Sequence, residues 1–147
     1  MKSANKTIEL MPKEQFEFIN LTEEIKKFVE ESGIKNGFLN VQSMHTTGSI
    51  IVNEDEPLLK NDIKKRLDQI IPQDNAYTHD DFSIRTVNMC DDECANGHAH
   101  CKAVLLQPFA TLNVIDGKLQ LGQWQQIFFF ELDRSRPRKV QVMVIGE

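Results

Sequence analysis

All four histidines of the chain stand in polar junctions between apolar segments: Met44-His45-Thr46-Thr47-Gly48, Tyr77-Thr78-His79-Asp80-Asp81 and Asn96-Gly97-His98-Ala99-His100-Cys101. Imidazole exchanges a proton near neutral pH and ligates transition metals. In connecting segments backed by a rigid sheet, such side chains are the ordinary material of a site. The last pair is the most discriminating. On a strand, His98 and His100 would share one face and could chelate one ion; on a helix they diverge by about half a turn, and only one reaches the site. Asn96 as a cap, with Ala99, Ala103 and Leu106 as a buried side, predicts a helix start. His100 then points inward and His98 lies on the rim. The amide N–H groups of that helix start suit a phosphate, and Lys102 adds a charge.

Other residues extend the candidate set. Thr46 and Thr47 supply hydroxyls beside His45, and Gly48 lets backbone approach a ligand. In Asn53-Glu54-Asp55-Glu56, Asp55 and Glu56 read as charge at the start of a helix opened by Pro57, while Asn53 and Glu54 are near enough in sequence to face His45. Trp124, the only tryptophan, and Gln125 could stack on a planar ring and hydrogen-bond its edge; core filling suits Trp124 equally. Arg134-Ser135-Arg136-Pro137-Arg138 could bind phosphate but reads as a solvated hairpin tip. Cys90-x3-Cys94-x3-His98 offers part of a zinc site, yet its spacing fits no usual pattern. Reduced, structural cysteines are the better reading.

The elements that must position these residues follow from patterning. Thr7–Leu10 and Gln15–Ile19 alternate like a pair of strands with a turn between them. Asn20 and Glu23 resemble a capping box ahead of a helical stripe of Leu21, Ile25, Phe28 and Val29, stopped by Gly33. Strands are expected over 37–42 and 49–52, a helix from Pro57 to Pro72, and a long polar loop over 73–97. A short helix over 99–106 comes next. A hairpin turning at Asp116-Gly117 follows, then a nearly all-apolar strand over 125–132 and a last strand over 139–145. The order predicts an α+β domain spanning 1–147, with one mixed or antiparallel sheet and helices packed on one side.

The 147 residues carry a formal net charge of −5, which argues against non-specific nucleic-acid binding. No apolar run approaches membrane-spanning length, so neither a nucleic-acid nor a membrane partner is expected. The basic N-terminus lacks the apolar stretch of a secretory signal, and three closely spaced cysteines do not suggest a disulfide framework. A cytoplasmic location is expected.

The ordered motifs resemble the YjbQ family: Met44-His45-Thr46-Thr47, Asn53-Glu54, Tyr77-x-His79, Asn96-Gly97-His98-Ala99-His100-x-Lys102-Ala103, Ile115-Asp116-Gly117-Lys118-Leu119-x-Leu121-Gly122-x-Trp124-Gln125 and Val144-x-Gly146. The resemblance covers essentially the whole chain, although Gln123 replaces the Ser or Thr usual before the tryptophan. It implies a compact α+β domain assembling as a homotrimer. It also implies a weak thiamine-phosphate synthase activity, joining a hydroxymethylpyrimidine diphosphate to a thiazole phosphate with release of pyrophosphate. Under that reading His45, His79 and His100 handle protons with Asp116 as the orienting carboxylate, and Thr46, Thr47, Asn53, Glu54, Asn96, Lys102, Trp124 and Gln125 bind substrate. A second reading places a divalent ion, zinc or magnesium, on His45, His79 and His100 for hydrolysis of a phosphorylated metabolite. A third is a non-catalytic trimer that binds such a metabolite.

Overall fold

The computed structural model describes residues 1–147. Eight strands and three helices run in the order β1 (Lys2–Leu10), β2 (Phe18–Asn20), α1 (Thr22–Ser32), β3 (Gly37–Ser43), β4 (Gly48–Glu54), α2 (Pro57–Ile70), α3 (Gly97–Leu105), β5 (Phe109–Ile115), β6 (Lys118–Leu119), β7 (Gln125–Glu131) and β8 (Arg138–Gly146). A single 3-10 turn at Thr78–Asp80 interrupts the long polar connection between α2 and α3.

The α+β class is as the sequence predicts, with one refinement. The strands divide between two antiparallel sheets, one of order β1-β8-β3-β5-β6 and one of order β2-β7-β4. The expected opening hairpin is therefore absent. β1 pairs with β8, whereas β2 pairs with β7. Alternation marks part of each strand, the second beginning only at Phe18 because Phe16 turns at φ 60°, but it carries no information about partners, and proximity in sequence misleads.

Local signals were more faithful. Gly33 ends α1 in the left-handed region at φ 68°. The helix begins one residue later than the capping box implies, with the Asn20 side-chain oxygen accepting the Thr22 N–H at 2.9 Å. Glu56 caps α2 by accepting the Leu58 and Leu59 amides. Asp116 and Gly117 both have positive φ, 53° and 73°, the backbone that a tight two-residue hairpin requires.

The layers explain the apolar run of β7. Ile8, Leu39, Val41, Val142 and Val144 of the larger sheet meet Ile50, Ile127 and Phe129 of the smaller sheet and Ile25 and Val29 of α1 in one core. On the other face of the smaller sheet, Phe130 and Leu132 pack with Leu67 of α2 and Ala99 of α3. β7 is thus covered on both sides, so its middle has no polar face. The outer face of the five-stranded sheet has no helix against it and exposes Phe38, Met143 and Ile145.

Register sets the geometry of any site. The β3–β4 connection, the β7–β8 turn and the start of β5 lie at one end of the sheets, since Gly48 pairs with Glu131, Ser43 with Val140 and Gln42 with Phe109. Glu54, Gln125, Ile115 and Gly146 lie at the other end. A seven-residue strand separates the two ends by about 20 Å.

Candidate functional site

Two adjoining cavities open at the first end, of ≈ 760 Å³ and ≈ 720 Å³. They meet at Thr46 and His100, which line both. His79, Arg85, Glu93, Asn96 and Arg136 surround the first. The second is walled by the end of β3, the start of β4 and α3.

Unsatisfied polar atoms mark the place. Buried polar groups are nearly always hydrogen-bonded, so an exception calls for an explanation. The chain has four buried side-chain nitrogen or oxygen atoms without a partner: Ser49 Oγ, His79 Nε2, Asn96 Oδ1 and Arg136 Nε. All four belong to residues lining these two cavities.

Each wall is positioned by a defined contact. Asp80, in the 3-10 turn, accepts the Asn96 and Gly97 N–H groups at 2.9 and 2.8 Å. It therefore occupies the start of α3, and the phosphate expected at that helix end is displaced by the chain's own carboxylate. Gly97 is required there, because a Cβ would lie 2.6 Å from Tyr77 Cβ. This packing brings His79 over His100, with ring centroids 4.6 Å apart in an edge-on arrangement. Below them runs a buried ionic network. Glu131 and Arg138, 0 and 2 % exposed, form a two-pronged ion pair. Arg138 and Arg136 both donate to the Thr47 hydroxyl, at 3.1 and 3.2 Å. Arg136 also pairs with Asp133 at 2.7 Å, and Asp133 accepts from the Asn96 amide at 3.2 Å.

The electrostatics keep two imidazoles neutral at pH 7. Burial, then the neighbouring His79, holds His100 below the ordinary histidine value, with Arg85 and Arg136 adding to the effect and Asp133 opposing it. His45 is lowered by burial and by Arg138, Arg136 and Lys139. A neutral imidazole facing a cationic wall can donate one N–H and accept at the other nitrogen, so it can hold an anion's oxygen without competing for a proton.

The sequence-predicted residues separate into groups. His79, His100, Thr46 and Asn96 come together at the first cavity. His45 lines the second, and its Nε2 accepts the Lys139 N–H at 2.7 Å. No three His, Cys, Asp or Glu side chains stand close enough to hold one ion. The expected three-histidine centre for zinc or magnesium is therefore not assembled in this chain, because one imidazole is already tied to backbone.

Thr47 is buried, with its hydroxyl spent on the two arginines. Lys102 is 0 % exposed and pairs with Asp68 at 3.0 Å, its ammonium over the Phe16 ring; it lines neither cavity. His98 is buried against Lys102, 3.3 Å from its nitrogen, and is not a rim residue. Asn53, Glu54, Asp116, Trp124 and Gln125 are exposed at the far end of the sheets. Within one chain they do not meet the histidines, because β4 and β5 each run the length of the sheet between them. Cys94 is a thiol pushed up by burial, and the three cysteines are free.

Sequence pattern does not single out Arg85 or Asp133, and it assigns Arg136 to a solvated tip, whereas Arg85 and Arg136 line the first cavity and Asp133 holds Arg136. The available signal was Asp133 three residues before Arg136, the spacing of a local ion pair that holds a guanidinium inward.

The fold is a two-sheet α+β domain with histidines and arginines around a polar cavity at one end of the sheets. A family model described as UPF0047 protein YjbQ-like matches residues 6–147, and the chain belongs to that family. It is 38% identical to a UPF0047 protein of Methanothermobacter thermautotrophicus over 147 residues, covering 100% of this chain and 95% of that one. It is 30% identical to YugU of Bacillus subtilis over 142 residues, covering 96% and 98%. Among solved structures, a YbjQ-like protein of unknown function from Sulfolobus solfataricus is similar, with a TM-score of 0.87 and 33% identity over 99% of both chains. A YjbQ/UPF0047 family protein from Clostridium acetobutylicum gives a TM-score of 0.83 and 35% identity, covering 95% and 99%.

The lowered histidines set a pH dependence. With native values below the unfolded 6.5, the unfolded chain binds protons first as pH falls. Their stability contribution is complete above about pH 6.5 and is lost as pH falls through the native pKa values. NMR titration of the ring protons should place His45 and His100 below 6.5; midpoints above it contradict the burial described here.

Proposed function

We propose that the chain is a low-activity transferase of the thiamine-phosphate synthase type, acting on phosphorylated substrates at the two-cavity site. One observation supports the reading: His79, Asn96 and Arg136, each with a buried polar atom that has no partner, line one cavity together with Arg85. Guanidinium groups and imidazole N–H groups are suited to a diphosphate.

In that reaction the thiazole nitrogen attacks the pyrimidine methylene carbon, a C–N bond forms, and the C–O bond to the diphosphate breaks. Pyrophosphate leaves with the electron pair. Charge grows on the leaving oxygens, so pre-placed cations lower the barrier. Arg136 and Arg85 supply that charge in this proposal, and His79 and His100 hydrogen-bond the departing group. Asp133 and Thr47 position Arg136 and touch no substrate. Asp116 and Trp124 have no part within a single chain. Hydrolysis of a phosphorylated metabolite and binding without turnover are outcomes that the assay below distinguishes.

Self-association as a homotrimer belongs to the same proposal. The uncovered outer face of the five-stranded sheet presents Phe38, Met143 and Ile145 in adjacent register positions of β3 and β8. Light scattering should give a mass three times the 16.9 kDa chain; a monomer at micromolar concentration removes this part.

Purified protein given a hydroxymethylpyrimidine diphosphate and a thiazole phosphate should release pyrophosphate and form thiamine phosphate. His100→Ala should abolish product. Arg136→Gln should weaken transition-state binding by about 1.5–3 kcal/mol, roughly ten- to hundredfold in kcat/KM. Release of inorganic phosphate from either substrate alone would point to hydrolysis. Absence of any turnover, with binding intact, would leave a metabolite-binding protein.

A further inference from the structure

The second cavity differs in chemistry from the first. Arg85, Glu93 and Arg136 line the first, whereas no Asp, Glu, Lys or Arg lines the second. Beside His45 and His100, its walls are apolar, hydroxyl-bearing or amide-bearing, with Met44, Ala103, Leu106 and Pro108 next to Gln42 and Gln107. At ≈ 720 Å³ it is within the range of pockets that enclose small organic molecules. An uncharged wall repels neither sign but solvates ions poorly, so it selects a neutral group.

One buried hydroxyl gives this cavity a direction. Ser49, the second residue of β4, is 1 % exposed, and its Oγ has no hydrogen-bond partner. Its neighbours are fixed, because Ser49 pairs with Phe130 across the smaller sheet and Gly48 has no room for a Cβ beside the Phe129 ring at 2.5 Å. A hydroxyl held there without a partner costs stability, and a ligand atom with a complementary edge would repay it. Thr46 and His100 stand at the junction, so a molecule whose anionic group lies in the first cavity can pass its uncharged part into the second.

We propose that the second cavity is the specificity pocket of the site, taking the uncharged part of a substrate whose phosphate lies in the first, with Ser49 as the residue that reads its hydrogen-bonding edge. The inference rests on the transferase reading for the identity of the anionic half. The pocket itself is tested with a neutral probe.

The test uses the full chain and two probes, hydroxymethylpyrimidine without phosphate and inorganic pyrophosphate, each followed by calorimetry and by amide chemical shifts. The pyrimidine alcohol should move the Ser49, Ala103 and Gln107 amides. Ser49→Ala should weaken it by about fivefold, the effect of one neutral hydrogen bond, while pyrophosphate affinity stays unchanged. Ser49→Ala deletes a group with no partner in the fold, so thermal unfolding should occur at the same temperature or higher. Pyrimidine shifts confined to other residues, or an affinity indifferent to Ser49→Ala, overturn the assignment. Binding of the pyrimidine in the pocket without any binding of pyrophosphate would uphold the pocket and remove the transferase reading instead.

Discussion

The buried ion pair between Glu131 and Arg138 is the constraint on which the site depends. Two opposite charges lie at 0 and 2 % exposure at the end of the smaller sheet, where desolvation is costly unless every remaining lone pair and proton is engaged. Most of that demand is met within the chain. Arg138 reaches Thr47, and Glu131 also accepts the Asp133 N–H at 2.9 Å. The β3–β4 connection is thereby fixed to the β7–β8 turn, and Arg136 is held between Thr47 and Asp133. Removing either member would leave an uncompensated buried charge, and the loops carrying Thr46 and Arg136 would lose their common anchor.

A second carboxylate performs the matching task on the opposite wall. Asp80 closes the start of α3 and holds the 3-10 turn against it, which sets His79 over His100. The aspartates 80 and 133 thus act on structure, while the groups left without partners point to function. The separation is physical. Asp80 accepts two backbone N–H groups and Asp133 an arginine and a side-chain amide, whereas His79 Nε2, Asn96 Oδ1 and Arg136 Nε have no partner. The loop between the 3-10 turn and α3 completes the enclosure. Arg85 binds the His79 and Asn88 carbonyls and pairs with Glu93 at 3.4 Å.

Much of the fold was legible because its signals are local. Gly33, Glu56 with Pro57, and Asp116-Gly117 each impose a backbone geometry that only one kind of element uses. The unbroken apolar run of β7 announced burial on two faces. Strand partners were not legible, since β1 and β2 are neighbours in sequence yet belong to different sheets. The same limit governed the site. His79, His100, Asn96 and Thr46 were found from their residue types, and they converge. Lys102 looked like a phosphate ligand because a lysine near a helix start suggests one, but burial and Asp68 claim it. Trp124 and Asp116 were grouped with the histidines through family resemblance, and strand length sets them apart in the single chain. Arg136 was undervalued because charges in a turn are usually solvated, and the partners that draw it inward come from three separate segments.

The most direct test is a crystal structure grown with pyrophosphate. The account predicts electron density for the anion in the first cavity, within hydrogen-bonding distance of Arg136, Asn96 and at least one of His79 and His100. A cavity holding only ordered water at saturating pyrophosphate, with the anion absent or confined to surface lysines, would contradict it.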